Sequence, residues 1–123
     1  ALPGGKLVLA QLGDGMILLR LPGQACTPLI PLRGGFANET SGLGIAKSLS
    51  EWGVQVVQDV PPGTAVMLTT DGVADDLLPE RLGGFMDHLL ADYAPLPARR
   101  RAAVLARDLR NWPTPGHTDD KTL

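Results

Sequence analysis

The hydrophobic period of the chain changes once, and that change limits the folds open to it. Up to residue 70 the apolar residues come in short runs: KLVLAQL at 6–12, MILLRL at 16–21, VQVVQDV at 54–60 and AVMLTT at 65–70. Such runs, bounded by glycine and proline, are strand signals. After Pro79 the spacing becomes helical, with Leu82, Phe85, Met86, Leu89, Leu90 and Tyr93 at i, i+3, i+4, i+7, i+8 and i+11. A second helix is predicted over 98–112, with Ala98, Ala102, Leu105, Leu109 and Trp112 on one stripe and Pro113 and Pro115 beyond it. Strands followed by two helices, then GHTDDKTL running into a last strand at Thr122-Leu123, give an α+β class.

Turn residues suggest the local connections. Gly13-Asp14-Gly15 would join the first two strands as a hairpin, and Pro61-Pro62-Gly63-Thr64 would join 54–60 to 65–70 as a second, with 65–70 a central strand. Leu21-Pro22-Gly23-Gln24 reads as a further turn. Between 25 and 50, Pro28, Pro31, Gly34, Gly35, Gly42 and Gly44 leave room only for short strands near 27–32 and 36–40.

Composition narrows the function classes. A chain of 123 residues with 44% hydrophobic content can build one modest core. A net charge of −2 argues against nucleic acid and anionic membrane as partners. Cys26 is the only cysteine, so there is no internal disulfide and no thiolate zinc site, and a reducing, cytoplasmic setting is expected. No apolar run approaches the roughly 20 residues of a membrane span. The opening ALPGG and the closing DDKTL both read as interior segments, so residues 1–123 are expected to form a single partial domain cut from a larger one.

Three acidic clusters share one grammar. Asp14 follows a strand, Asp71 and Asp75 follow another, and Asp119 and Asp120 precede a third. If those strands are neighbours, the carboxylates converge on one rim, where they repel unless a cation is present. Mg²⁺ or Mn²⁺, which favour oxygen ligands, would relieve that cost. Taken singly, each Asp-Gly is also an ordinary turn dipeptide. Asp75 and Asp76 also suit a helix start, and Asp119 and Asp120 a solvated loop.

Other residues invite plainer readings. His88 lies off the apolar face of its helix and reads as solvated, and His117 as a loop residue near the acidic cluster. Arg99, Arg100, Arg101, Arg107 and Arg110 sit on one helix, as a solvated face or as a docking patch for an acidic or phosphorylated partner. Asn38-Glu39-Thr40 carries no assignable chemistry. Gly34-Gly35 lacks the lysine and helix start of a phosphate loop.

In their order, LVLAQLGDG, VMLTTDGVAD and DDKTL resemble the later motifs of the type 2C, metal-dependent serine/threonine protein phosphatases. FANETSGLG is similar to a stretch of a compact bacterial branch, in which Asp-Asp-Lys-Thr can replace Asp-Asn-x-Thr. The resemblance implies part of a sandwich of antiparallel sheets flanked by helices, with a helix pair before the last strand. It implies a hydrolase that removes phosphate from phosphoserine or phosphothreonine proteins by a hydroxide bridging two Mg²⁺ or Mn²⁺ ions. Carried over residue by residue, Asp71 and Asp119 match ligands of a catalytic metal, and Asp14 and Asp75 match ligands of a looser third one. Gly72 would let the backbone turn tightly beneath the site. Asp76 would be a solvated or helix-start charge whose loss is nearly silent.

The departures are specific. The family's N-terminal Asp-Gly motif, which supplies the carboxylate bridging both metals, is absent, as is the arginine that holds the substrate phosphate. Gly15 stands where serine is commoner. The chain is therefore expected to be the C-terminal portion of such a domain, inactive alone and paired with a missing N-terminal half. The rival expectation is a catalytically inactive, phosphatase-like regulatory or interaction module.

Overall fold

A computed structural model describes residues 5–31, 48–114 and 119–123. The predicted strand at 36–40, FANETSGLG, Gly34-Gly35 and His117 lie outside them. Within them are β1 (Leu7–Gln11), β2 (Met16–Arg20), β3 (Thr27–Pro28), β4 (Gly53–Val57), β5 (Ala65–Thr69), α1 (Asp71–Ala74), α2 (Leu82–Asp92) and α3 (Ala98–Arg110). This is the expected α+β class. No helix among the described residues is long and apolar enough to cross a membrane.

The strand pairing departs from the hairpin expectation at both places. β1 pairs antiparallel with β4, and β2 lies between β3 and β5, so β1 and β2 belong to different sheets, as do β4 and β5. The Gly13–Gly15 link is thus an arch from one sheet to the other. A two-residue hairpin turn of the common type needs positive φ at both central residues, and of this link only Gly13, at φ 90°, has it. Pro61–Thr64 does form its turn, with the Thr64 amide donating to the Pro61 carbonyl at 3.2 Å and Gly63 at φ 86°, but it too joins the two sheets. Pro22-Gly23 turns as expected, closed by the Gln24 amide on the Leu21 carbonyl at 3.0 Å.

Burial explains why β2 takes the centre. Alternate residues of a strand face opposite sides of its sheet. Ile17 and Leu19 pack with Leu9 of β1, flanked by Val57 and Val66, in a cluster that draws on both sheets. Met16 and Leu18 face the other way and pack with Met67, Ala74, Leu82 and Met86. A strand covered on both faces needs an unbroken apolar run, and MILL is one. β5, expected to be central, has β2 as its only paired strand among the described residues, and its Leu68 is 60% exposed.

The helices close the second cluster. A single turn of 3₁₀ helix at Pro79–Arg81 leads into α2, which buries Leu82 and Met86 and packs Phe85 and Leu89 against the core. Arg20 of β2 pairs with Asp87 of α2. α3 buries no residue fully. It is tied back by the Tyr93 hydroxyl, which donates to Asp108 at 2.8 Å, and by Arg101, which donates to the carbonyls of Ala94 and Leu96. Residues 119–123 form no strand, contrary to expectation, although Leu123 packs on the core.

Candidate metal centre

β5 ends at Thr69, Thr70 is extended, and Asp71 is the first residue of α1. Sequence periodicity misses this helix because four residues are too few to show a period. Asp71 Oδ1 accepts from the Gly72 amide at 2.8 Å, which fixes the carboxylate at the strand-to-helix junction.

The far end of the chain meets this junction at Thr70. The Thr70 amide donates to the Thr122 carbonyl at 3.2 Å, its hydroxyl donates to the Asp120 carbonyl at 2.9 Å, and the Thr122 amide donates to that hydroxyl at 3.0 Å. Beside them Gly72 is buried against the same segment. A Cβ there would lie 2.4 Å from the Asp120 carbonyl oxygen and 3.3 Å from the carbonyl carbon of Asp119. Gly72 is not among the positive-φ glycines, so it is needed for space and not for the tight turn expected of it. Asp119 Oδ1 accepts from the Asp120 amide at 2.8 Å.

Asp14 approaches the same junction from the β1–β2 arch. A Cβ on Gly15 would lie 2.7 Å from the Thr69 carbonyl oxygen, so the arch runs directly against the end of β5. Asp75 follows one turn after Asp71, its amide donating to the Asp71 carbonyl at 2.8 Å, and is exposed. The backbone therefore brings the Asp14, Asp71 and Asp119 segments to one rim. Among the described residues no three carboxylate, histidine or cysteine side chains gather closely enough to hold a metal. Carboxylates are the donor type that suits a hard divalent cation, and the contact at Gly72 joins the backbone segments that carry two of them.

Asp76 differs from its expected role as a solvated charge. Its side chain and that of Lys121 are each 8% exposed, and Lys121 Nζ lies 3.3 Å from Asp76 Oδ2. The same Oδ2 accepts from Trp112 Nε1 at 2.7 Å. Lys121 Nζ also donates to the Gly72 carbonyl and stands 5.8 Å from the centre of the Trp112 ring. One signal in the sequence pointed this way: a tryptophan closing an apolar stripe needs an acceptor for its indole N–H. Asp76→Ala would remove that acceptor and the Lys121 counter-charge together. It is expected to destabilise the domain by about 3 kcal/mol, measured by denaturant titration.

Other candidates are structural. His88 is exposed and forms an i,i+4 pair with Asp92 at 3.0 Å. Burial pushes the Cys26 thiol up from its usual value, against the opposing charge of Arg20, and the residue packs against the cluster of Met16 and Leu18. A groove of about 440 Å³ lined by Leu7, Val60, Pro61, Gly63 and Val66 lies at the opposite end of β5 from Asp71.

A family model described as protein phosphatase 2C matches residues 1–112. Asp14, Asp71 and Asp75 fall inside that span, and Asp119 lies beyond it. No curated protein and no solved structure matches the chain. The match covers the arch at Asp14, the β5–α1 junction and both long helices, and on that evidence the chain belongs to the protein phosphatase 2C family.

Proposed function

We propose that the chain is the C-terminal portion of a Mg²⁺- or Mn²⁺-dependent phosphatase domain that acts on phosphoserine and phosphothreonine proteins, in a cytoplasmic setting. The observation that supports this reading is the contact between Gly72 and the Asp119-Asp120 backbone, which brings the segments bearing Asp71 and Asp119 together. A larger sandwich is supported by the outer face of the β1–β4 pair, where Val8, Val54 and Val56 are 58%, 60% and 48% exposed.

When bound, the metals would lower the pKa of water and neutralise charge on the phosphoryl oxygens. The chain's own contribution is orientation. Asp71 is steadied by the Gly72 amide and Asp119 by the Asp120 amide, each through Oδ1. Asp14 and Asp75, on exposed backbone, would serve a looser third metal. The Lys121 ammonium is committed to the Gly72 carbonyl and Asp76, so it is not offered to the substrate phosphate.

Full-length protein should hydrolyse a phosphothreonine peptide, lose that activity on chelation and regain it with Mn²⁺. Asp14→Asn or Asp75→Asn should raise the Mn²⁺ concentration for half-maximal rate by about tenfold with little change in kcat. Metal-independent turnover, or none under any metal condition, would contradict the proposal, the latter in favour of a non-catalytic module.

A further inference from the structure

We infer that Asp76 and Lys121 form a buried clamp that positions the Asp119 carboxylate beside Asp71. The inference rests on reading Asp71 and Asp119 as ligands of one metal, and it gives roles to two residues which that reading leaves unused. Neither is offered as a ligand itself.

Apart from Leu123, which packs on the core, the described part of the closing segment is held mainly at one place. It forms no strand, and its backbone bonds to the body of the fold converge on Thr70. Into this weak junction the chain places a buried ammonium. An exposed ion pair would contribute little, whereas a buried one is costly to desolvate and holds only in a well-defined geometry. Here the geometry comes from a relay of packed groups. Phe85 of α2 meets Trp112 edge-on with ring centres 6.1 Å apart. Trp112 Nε1 donates to Asp76, Asp76 pairs with Lys121, and Lys121 donates to the Gly72 carbonyl.

The end points of that relay matter. Gly72 directly follows Asp71, and Lys121 comes two residues after Asp119. The clamp therefore joins the two ligand-bearing segments through the Gly72 carbonyl. Losing it would free the Asp119 segment to drift from Gly72 while the sheets and α2 stay intact.

The test uses the full-length protein with Asp76→Asn, Lys121→Met, their combination and Asp71→Asn. Asp76→Asn keeps an acceptor for Trp112, and the double variant leaves no buried charge alone, so folding does not depend on the harshest change. Amide hydrogen exchange at Thr70 and Thr122 reads the docking of the tail without any metal, with Leu18 and Met67 as sheet controls. Calorimetric titration with Mn²⁺ reads the site. Each single variant should speed exchange at Thr70 and Thr122, leave the sheet amides protected, and weaken Mn²⁺ binding by about tenfold. The double variant should be no worse than either single one, because the two residues act as one unit. Unchanged tail exchange, or faster tail exchange with wild-type Mn²⁺ affinity, would overturn the clamp. Wild-type Mn²⁺ affinity in Asp71→Asn would instead overturn the metal reading, whatever the exchange data show.

Discussion

Asp71→Asn in the full-length protein is expected to lower phosphopeptide turnover by a factor on the order of a hundred to a thousand, and Asp119→Asn to do the same. Asparagine keeps the size of the side chain and an oxygen that can accept from the Gly72 amide, as Asp71 Oδ1 does at 2.8 Å. The junction between β5 and α1 should therefore survive, and the thermal midpoint should barely move. What disappears is the negative charge that a bound dication would face, the part of the interaction that a neutral amide cannot replace. Turnover measured at saturating Mn²⁺ separates this from Asp14→Asn and Asp75→Asn, which extra metal should largely rescue. Full activity in Asp71→Asn would leave the acidic rim as a solvated loop.

Gly72→Ala should be nearly as damaging, although it removes no charge. The added Cβ would lie 2.4 Å from the Asp120 carbonyl oxygen, a backbone atom that no side-chain rotation can move aside. One of the two segments must shift by about an ångström, and misplacement of that size in a reacting constellation costs roughly a hundredfold in rate. The buried face of α1, with Val73 fully buried, resists movement on one side. The closing segment is held more lightly and should be the one that moves. The expected signature is a lost rate and a weaker Mn²⁺ affinity with the sheet amides still protected. Gly23→Ala is the comparison: no atom lies within 4 Å of a Cβ there, and its φ of 72° adds only local strain in a distant turn.

Much of this could be read from residue order, where the signal was local. Leu82, Met86 and Leu89 recur at helical spacing, and α2 is where they place it. Pro22-Gly23 and Pro62-Gly63 fix φ through their own rings and missing side chains, so both turns form. Strand partners were not legible, because adjacency in sequence favours hairpins while β2 needed cover on both faces. That need sends β1 and β4 to one sheet and β5 to another. At the candidate site, Asp14 and Asp71 could be read as carboxylates just beyond strand ends, whereas the strand expected after Asp119 is not formed. The reason for Gly72 was not, since the atom it makes room for belongs to Asp120. Asp76 was misread for the same cause: its partners, Trp112 and Lys121, lie far along the chain, and a local charge pattern looks the same whether solvated or buried.

We propose that Asp71 and Asp119 share a metal. Crystals of the full-length protein grown with Mn²⁺ and measured for anomalous scattering would test it most directly. A Mn²⁺ peak bonded to carboxylate oxygens of both Asp71 and Asp119 is expected, with Gly72 packed against the Asp120 carbonyl. A Mn²⁺ site that leaves out either residue, or no peak at this rim under saturating metal, would contradict it.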